Sequence, residues 1–368
     1  MNITCNKEEL LKSIALLSQI IPSKPQSRPV LSNVLMIAKD ESLTLVATDM
    51  EMGINVTMSL IHCYENGEIL LPAHQLLSIL REAGSEEIRI EVLERTAILS
   101  GRSFQYKLPA YANEEFPEVP NLEGEVIKVN KDSMHRLIKE VAFAMNRDRN
   151  RYQLNSILLS LFEETMETVA TDQVRLAFSN AELEEKIEGE RKLVFPAKSV
   201  PIIMTILSEE KEDGVELILG DSQMTIKFAR GFFIVRLVEA QFPNYRNAYD
   251  SYVSVPDISI PTKSITQAIR QVILLTCENA KNIALILEKG HITFKASTPL
   301  GEGKVELDVD YDGEDMTVGM NPYFVQDFLK EISSQNIETI RLKVVGPKKP
   351  IIMSPHDHYI YFMSPTSV

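Results

Sequence analysis

At 368 residues and 41.6 kDa the chain exceeds what one hydrophobic core organises, and domains of about 100 to 200 residues predict two or three of them. Its 44% hydrophobic and 24% charged residues exclude global disorder. With 38 Lys and Arg against 52 Asp and Glu, the formal charge of −14 would repel nucleic acid unless cations are gathered on one surface.

In chain order, residues 7–21 place Leu10, Leu11, Ile14, Leu17 and Ile21 on one helical face, with Asn6 as N-cap. Strand patterns follow at 43–47 and 88–92, with a helix at 73–83 between them. Residues 131–145 and 197–207 read as the next helices, and strands at 215–219 and 224–228 flank a hairpin turn at Gly220-Asp221. Helices at 262–277 and 322–333 and a strand at 340–344 complete the pattern. Pro72, Pro196 and Pro322 stand at helix entrances, where a missing N–H has no intrahelical partner to lose. The fold class is α+β, six helices against many antiparallel strands.

The chain also repeats itself. Thr44-Leu45-Val46-Ala47-Thr48-Asp49 returns as Glu167-Thr168-Val169-Ala170-Thr171-Asp172 and, weakened, as Thr293-Phe294-Lys295-Ala296-Ser297-Thr298, the alanines 123 and 126 residues apart. Leu71-Pro72-Ala73, Phe195-Pro196-Ala197 and Asn321-Pro322-Tyr323 form a second marker, and Phe116-Pro117 and Phe242-Pro243 a third. Three tandem domains follow, at 1–121, 125–250 and 256–368, divided by polar stretches around 118–125 and 247–257.

Sorted by element, the six helical segments hold ten Lys and Arg and seven Asp and Glu, a net of +3, which leaves −17 for the rest. Helices less acidic than their surroundings suit weak, sequence-independent contact with a phosphate backbone. Catalytic and cofactor motifs are missing. Gly220-Asp221-Ser222 fills a turn, Gly301-Glu302-Gly303 lacks a third glycine, and His356-Asp357-His358 reads as a solvated turn without a third metal ligand. The Thr-Asp pairs at 48–49 and 171–172 read as turns in which Asp accepts local backbone N–H groups. Cys5, Cys63 and Cys277 form no disulfide or zinc pattern and read as reduced thiols. No apolar run is long enough to span a membrane, and a cytoplasmic protein without cofactor or metal is expected.

The three tandem copies with Ala-Thr-Asp strand ends, weakened to Ala-Ser-Thr in the third, Arg175-Leu176, Arg151-Tyr152-Gln153-Leu154-Asn155, Ser27-Arg28-Pro29-Val30-Leu31-Ser32-Asn33, Phe242-Pro243-Asn244-Tyr245 and Gly319-Met320-Asn321-Pro322 together resemble the bacterial DNA polymerase III β subunit family, the sliding clamps, over the full chain. The resemblance implies three clamp domains, each with two helices against antiparallel sheets, and a head-to-tail homodimeric ring around duplex DNA. It implies a non-catalytic processivity factor for the replicative polymerase, served by a clamp loader and shared with repair polymerases and mismatch-repair proteins. Twelve helices at about 10 Å spacing enclose a circle of about 38 Å at their axes, leaving about 28 Å for a duplex of about 20 Å. The alternative is a repeat scaffold that binds peptides and no DNA.

Residue by residue, the family's partner-peptide pocket falls on Leu154, Thr171, Arg175, Leu176, Pro243, Asn321, Phe324, Met363 and Pro365. Gln173-Val174 stands where the family usually has Gly-His, and the terminus lacks the usual basic Met-Pro-x-Arg ending. DNA contacts are expected at Lys24, Arg28, Arg147, Arg149, Arg151, Tyr152 and Lys198. The alternating Phe104, Tyr106 and Leu108 suggest an edge strand for dimerisation, meeting Leu274 and Leu275 of the partner copy.

Overall fold

The computed structural model of the chain describes residues 1–22, 28–120, 123–145, 155–239, 242, 245–246, 256–277 and 280–367. Lys24, Arg147, Arg149, Arg151, Tyr152, Leu154 and Pro243 fall outside them. Six principal α-helices occur among the described residues: α1 (Lys7–Leu17), α2 (Ala73–Glu82), α3 (Lys131–Ala142), α4 (Val200–Glu209), α5 (Thr262–Ile273) and α6 (Pro322–Ile332).

The expected cap at Asn6 forms, its side chain accepting from the N–H groups of Glu8 and Glu9 at 2.9 and 3.1 Å. Asn130 caps α3 in the same way through Asp132 and Ser133. Leu10, Ile14 and Leu17 of α1 are wholly buried, each worth about 1.5 to 3 kcal/mol. Three helices are shorter than their apolar periodicity. After α1, Ser18 turns its hydroxyl back to the Ile14 carbonyl. After α3 and α5 the next amides bond three residues back rather than four, as with Leu275 to Val272 and Ala144 to Val141, so a tightened turn carries the pattern on. The predicted helix at 197–207 opens as a 3-10 turn, Ala197–Ser199, and becomes α-helical at Val200 with Pro201 in its first turn.

The chain divides into two compact units, Met1–Met134 with Lys198–Leu237 and His135–Ala197 with Val238–Val368. These bounds cut across the sequence repeat because each unit contains a sheet shared by two repeats. In the first unit, strands Glu125–Asn130, Gly214–Leu219, Gln223–Phe228 and Gly231–Arg236 run into Met52–Ser59, Ser42–Thr48, Asn33–Lys39 and Gly67–Pro72, an eight-stranded sheet. The joint pairs Val235 with Met52 and Phe233 with Ile54. Gly231 is required there, since a Cβ would strike the Asn55 carbonyl. A five-stranded sheet completes the unit, with Gln105–Pro109 as one edge.

The second unit repeats the joint. Strand Tyr359–Met363 of the last repeat pairs antiparallel with Arg175–Pro196, Met363 opposite Arg175 and Tyr361 opposite Ala177. The long strand Ser156–Thr171 pairs its first half with Glu190–Pro196 and its second with Arg175–Glu182, as Asn33–Lys39 pairs with Gly67–Pro72 and Ser42–Thr48 with Met52–Ser59 in the first repeat. Glu163 (φ 48°) turns this strand where Asp40 (φ 54°) turns the earlier hairpin. The remaining sheet runs Gly301–Asp308, His291–Thr298, Ile283–Glu288, Met316–Met320, so Gly301–Asp308 is an edge.

The cores repeat as well. Leu35, Val46 and Leu70 pack with Phe116 and Val119 in the first unit, and Leu158, Val169 and Val194 with Phe242 and Tyr245 in the second. Cys5 is buried, and burial pushes its thiol up to about 12, so it is inert at neutral pH. The hairpin at 220–222 closes as expected, Gly220 N–H to the Gln223 carbonyl at 3.0 Å.

Candidate partner-binding site

Both Thr-Asp turns form as read from the sequence, with the same bonds. Thr48 Oγ1 donates to the Met52 carbonyl while Asp49 Oδ1 accepts from the N–H groups of Glu51 and Met52. Thr171 Oγ1 donates to the Arg175 carbonyl at 2.6 Å while Asp172 Oδ1 accepts from Val174 and Arg175 at 3.0 and 2.9 Å. The third residue of each turn is left-handed, Met50 at φ 76° and Gln173 at φ 77°. A side chain costs about 1 to 2 kcal/mol in that conformation.

Arg175, which is 7% exposed, is the centre of the second turn's surroundings. Its guanidinium donates to Asp172 Oδ2 (3.1 Å), Asp327 Oδ2 (2.7 Å) and the Phe143 carbonyl (3.1 Å). It stacks over the rings of Phe324 at 4.5 Å and Phe143 at 5.6 Å. Burial opposes its charge, but Tyr361, Asp327 and Asp172 outweigh burial and raise its pKa. Tyr361, itself raised chiefly by burial, donates to the Phe324 carbonyl at 3.2 Å and stacks on Phe328. The α6 start that holds Phe324 is fixed by Asn321, which accepts from the Tyr323 N–H at 3.0 Å.

Beside this knot lies a partly exposed apolar surface. Leu176, Val238, Phe242 and Ile360 cover the cluster of Leu158, Val169, Phe178, Val194 and Tyr245. Tyr245 is anchored through its hydroxyl to Glu167 at 2.7 Å. The terminal segment crosses nearby, Ser364 N–H to the Val174 carbonyl at 2.8 Å and Thr366 N–H to Gly319 at 2.9 Å.

Thr171, Arg175, Leu176, Asn321, Phe324 and Pro365 thus fall in one unit, with Thr171 bonded to Arg175, Arg175 over the Phe324 ring and Asn321 capping the helix that carries Phe324. Thr171 and Arg175 are buried, and Met363 has no exposed surface, so it supports the strand rather than offering a side chain. Val238 and Ile360 carry no sequence signal beyond being apolar, whereas Phe242 stands in the Phe242-Pro243-Asn244-Tyr245 segment that marks both the repeat and the resemblance. Val174 is 43% exposed and adds apolar rim.

Of the residues read as DNA contacts, Arg28 is exposed, with Nη1 3.9 Å from Met50 Sδ. Lys198 is engaged by Asp49 at 3.0 Å and by Glu51, and these carboxylates raise its pKa against the opposing effect of burial. On the edge Gln105–Pro109, Tyr106 is 44% exposed, Leu108 is buried, and Phe104 stacks at 5.5 Å on Tyr106. Leu274 is 77% exposed just past α5, whereas Leu275 is half-buried. At 356–358 a turn forms with Asp357 and His358 exposed and Asp357 bonded to Arg341, whereas His356 departs from the expectation of a solvated turn, being half-buried with Nδ1 wholly buried because it ends a strand of the hairpin. No three metal-ligand side chains gather among the described residues.

Three tandem α+β repeats joined through shared sheets define the sliding-clamp class. The description "DNA polymerase III beta subunit" matches in three parts: N-terminal domain at residues 1–120, central domain at 128–244 and C-terminal domain at 256–361. A beta sliding clamp of Chlamydia muridarum is 25% identical over 371 residues, covering 99% of this chain and 98% of its own. One of Haemophilus influenzae is 28% identical over 342 residues, 92% of each. The solved structure of a Pseudomonas aeruginosa sliding clamp bound to griselimycin is 25% identical with a TM-score of 0.93, both chains covered in full. The chain belongs to the DNA polymerase III beta subunit family, and it is a DNA sliding clamp, a processivity factor and not an enzyme.

Proposed function

We propose that two copies close head to tail into a ring around duplex DNA and hold the replicative polymerase, the clamp loader and repair proteins by peptides seated in the socket of the second unit. The domains are 1–121, 125–250 and 256–368, and the protein works in the cytoplasm, on the chromosome. One observation carries the ring. Each internal joint pairs the last strand of one repeat with a middle strand of the repeat before it: Gly231–Arg236 with Met52–Ser59, and Tyr359–Met363 with the start of Arg175–Pro196. The same two strands are left over as the edges Gln105–Pro109 and Gly301–Asp308. A second copy supplies the missing partner for both, with Tyr106 and Leu274 as exposed apolar contacts.

The socket reading rests on the apolar surface of Leu176, Val238, Phe242 and Ile360 beside the fixed Arg175 knot, which suits an extended peptide with aliphatic or aromatic anchors. Leu154, Pro243 and Pro365 are assigned to the same socket on the sequence resemblance. DNA contacts are assigned to Lys24, Arg28, Arg147, Arg149, Arg151, Tyr152 and Lys198. Light scattering at micromolar concentration tests the ring: a mass near twice 41.6 kDa is expected, followed by retention on nicked circular DNA and loss from linear DNA. A strict monomer would sink it and favour the DNA-free scaffold.

A further inference from the structure

A cavity of about 530 Å³ in the second unit shares no lining residue with the socket. Helix α3 contributes His135, Arg136, Lys139 and Glu140. The turn after α6 contributes Ser334 and Gln335, and the C-terminal hairpin His356 and His358. No apolar side chain lines it, so it does not suit a hydrophobic anchor.

Its one lining carboxylate is already committed. Glu140 is wholly buried; Oε2 accepts from Ser179 Oγ and from Arg136 Nη1 at 3.1 Å, and Oε1 accepts from Gln335 Nε2 at 3.3 Å. Lys139 Nζ donates to Ser334 Oγ at 3.1 Å, with Glu331 at 3.9 Å, and keeps two further donors. His358 uses Nδ1 on Asn180 at 2.9 Å, which leaves its Nε2 for another partner. His356 Nδ1 is buried without a hydrogen bond. Around His356 stand Arg136 and Glu140 of α3, Arg341 of strand Thr339–Val344, and Asp357, His358 and Tyr359 of its own hairpin, with Glu331 of α6 acting on Tyr359. Burial first, then Arg136, His358 and Arg341, push the His356 imidazole below its ordinary value, with Asp357 opposing. Cations that disfavour protonation of His356 form a field that an anion relieves.

We propose that this cavity is an oxyanion site that takes a phosphate group, held by the Lys139 ammonium, the Ser334 hydroxyl and the imidazoles of His356 and His358. Four tetrahedral acceptor oxygens match donors converging from three separate elements. With Nδ1 of His358 committed, its Nε2 donates only in the imidazolium form, so binding takes up a proton.

The test follows the histidine ring resonances of the full-length protein during titration with inorganic phosphate at about pH 6, against chloride at matched ionic strength. Saturable shifts of His356 and His358 are expected, lost in Lys139→Gln and Ser334→Ala, two partly exposed positions whose variants should keep the wild-type melting curve. Sulfate, which does not titrate between about pH 6 and pH 8, should bind about tenfold more weakly per pH unit above the imidazole pKa. A short DNA duplex forms the second arm: shifts with the duplex but not with free phosphate identify a backbone phosphate as the source and still support the site. Shifts that chloride reproduces, that persist in both variants, or that neither probe elicits would overturn it.

Discussion

Replacing Arg175 by alanine removes the cation that ties the Thr-Asp turn to α6. Two charge-assisted bonds, to Asp172 and Asp327, disappear, as do the bond to the Phe143 carbonyl and two ring contacts. Stripping one partner from a buried pair costs about 3 to 5 kcal/mol. The side chain of Asp327 is 29% exposed and that of Asp172 17%, so water recovers part of their hydration and about 3 kcal/mol is the expected loss. At about 2 to 4 °C per kcal/mol, calorimetry should record a fall of about 6 to 12 °C in the transition of the second unit. Arg175→Lys should recover little, because an ammonium cannot reach both carboxylates and the carbonyl while stacking between two rings. Fluorescence anisotropy with a labelled peptide carrying Gln and Leu/Phe anchors should show weakened binding, since Phe324 and the turn lose their common brace. A stability loss below about 0.5 kcal/mol, or Arg175→Lys matching wild type, would refute the brace.

Gln173→Gly should stabilise the protein by about 0.5 to 1 kcal/mol in urea titrations, since it relieves a left-handed side chain at the cost of chain entropy. Gly231→Ala should cost more than about 3 kcal/mol and split the melting curve, because the new methyl displaces the Asn55 carbonyl at the shared-sheet joint. Glu140 has a folded pKa raised by burial against the pull of Ser179 and Arg136, so the stability it contributes is full below the ordinary glutamate value and falls as pH rises through the folded value. Glu140→Gln should therefore gain relative to wild type as pH increases across that window, and a pH-independent difference would contradict it. Leu274→Asp should leave the melting curve unchanged while halving the mass seen by light scattering, given that this side chain is 77% exposed.

Helix and turn chemistry was legible because it is local: Asn6, the two Thr-Asp turns and the hairpin at 220–222 each act through residues within four positions. The repeat was legible for another reason, namely that Val46 and Val169, or Leu70 and Val194, fill equivalent cores and retain their spacing. What the sequence hid was pairing at long range. Nothing in Gly231–Arg236 announces that it joins the sheet containing Asn33–Lys39, so the sequence shows three tandem domains but not the sheets that neighbouring repeats share. The Arg175–Asp327 contact spans 152 residues, and α6 gave no local reason to single out Asp327. Lys198 read as a free cation because its carboxylates, Asp49 and Glu51, lie almost 150 positions away.

Each repeat behaves as a link with one hook and one eye, the last strand and the middle strand. Joining links in a line always leaves one hook and one eye over, whatever the number of links. Closure therefore depends on the curvature added per link and not on how many links a gene encodes. In the proposed ring, the joints made between chains lack a covalent bridge, so they part without opening a sheet that the repeats share within one chain.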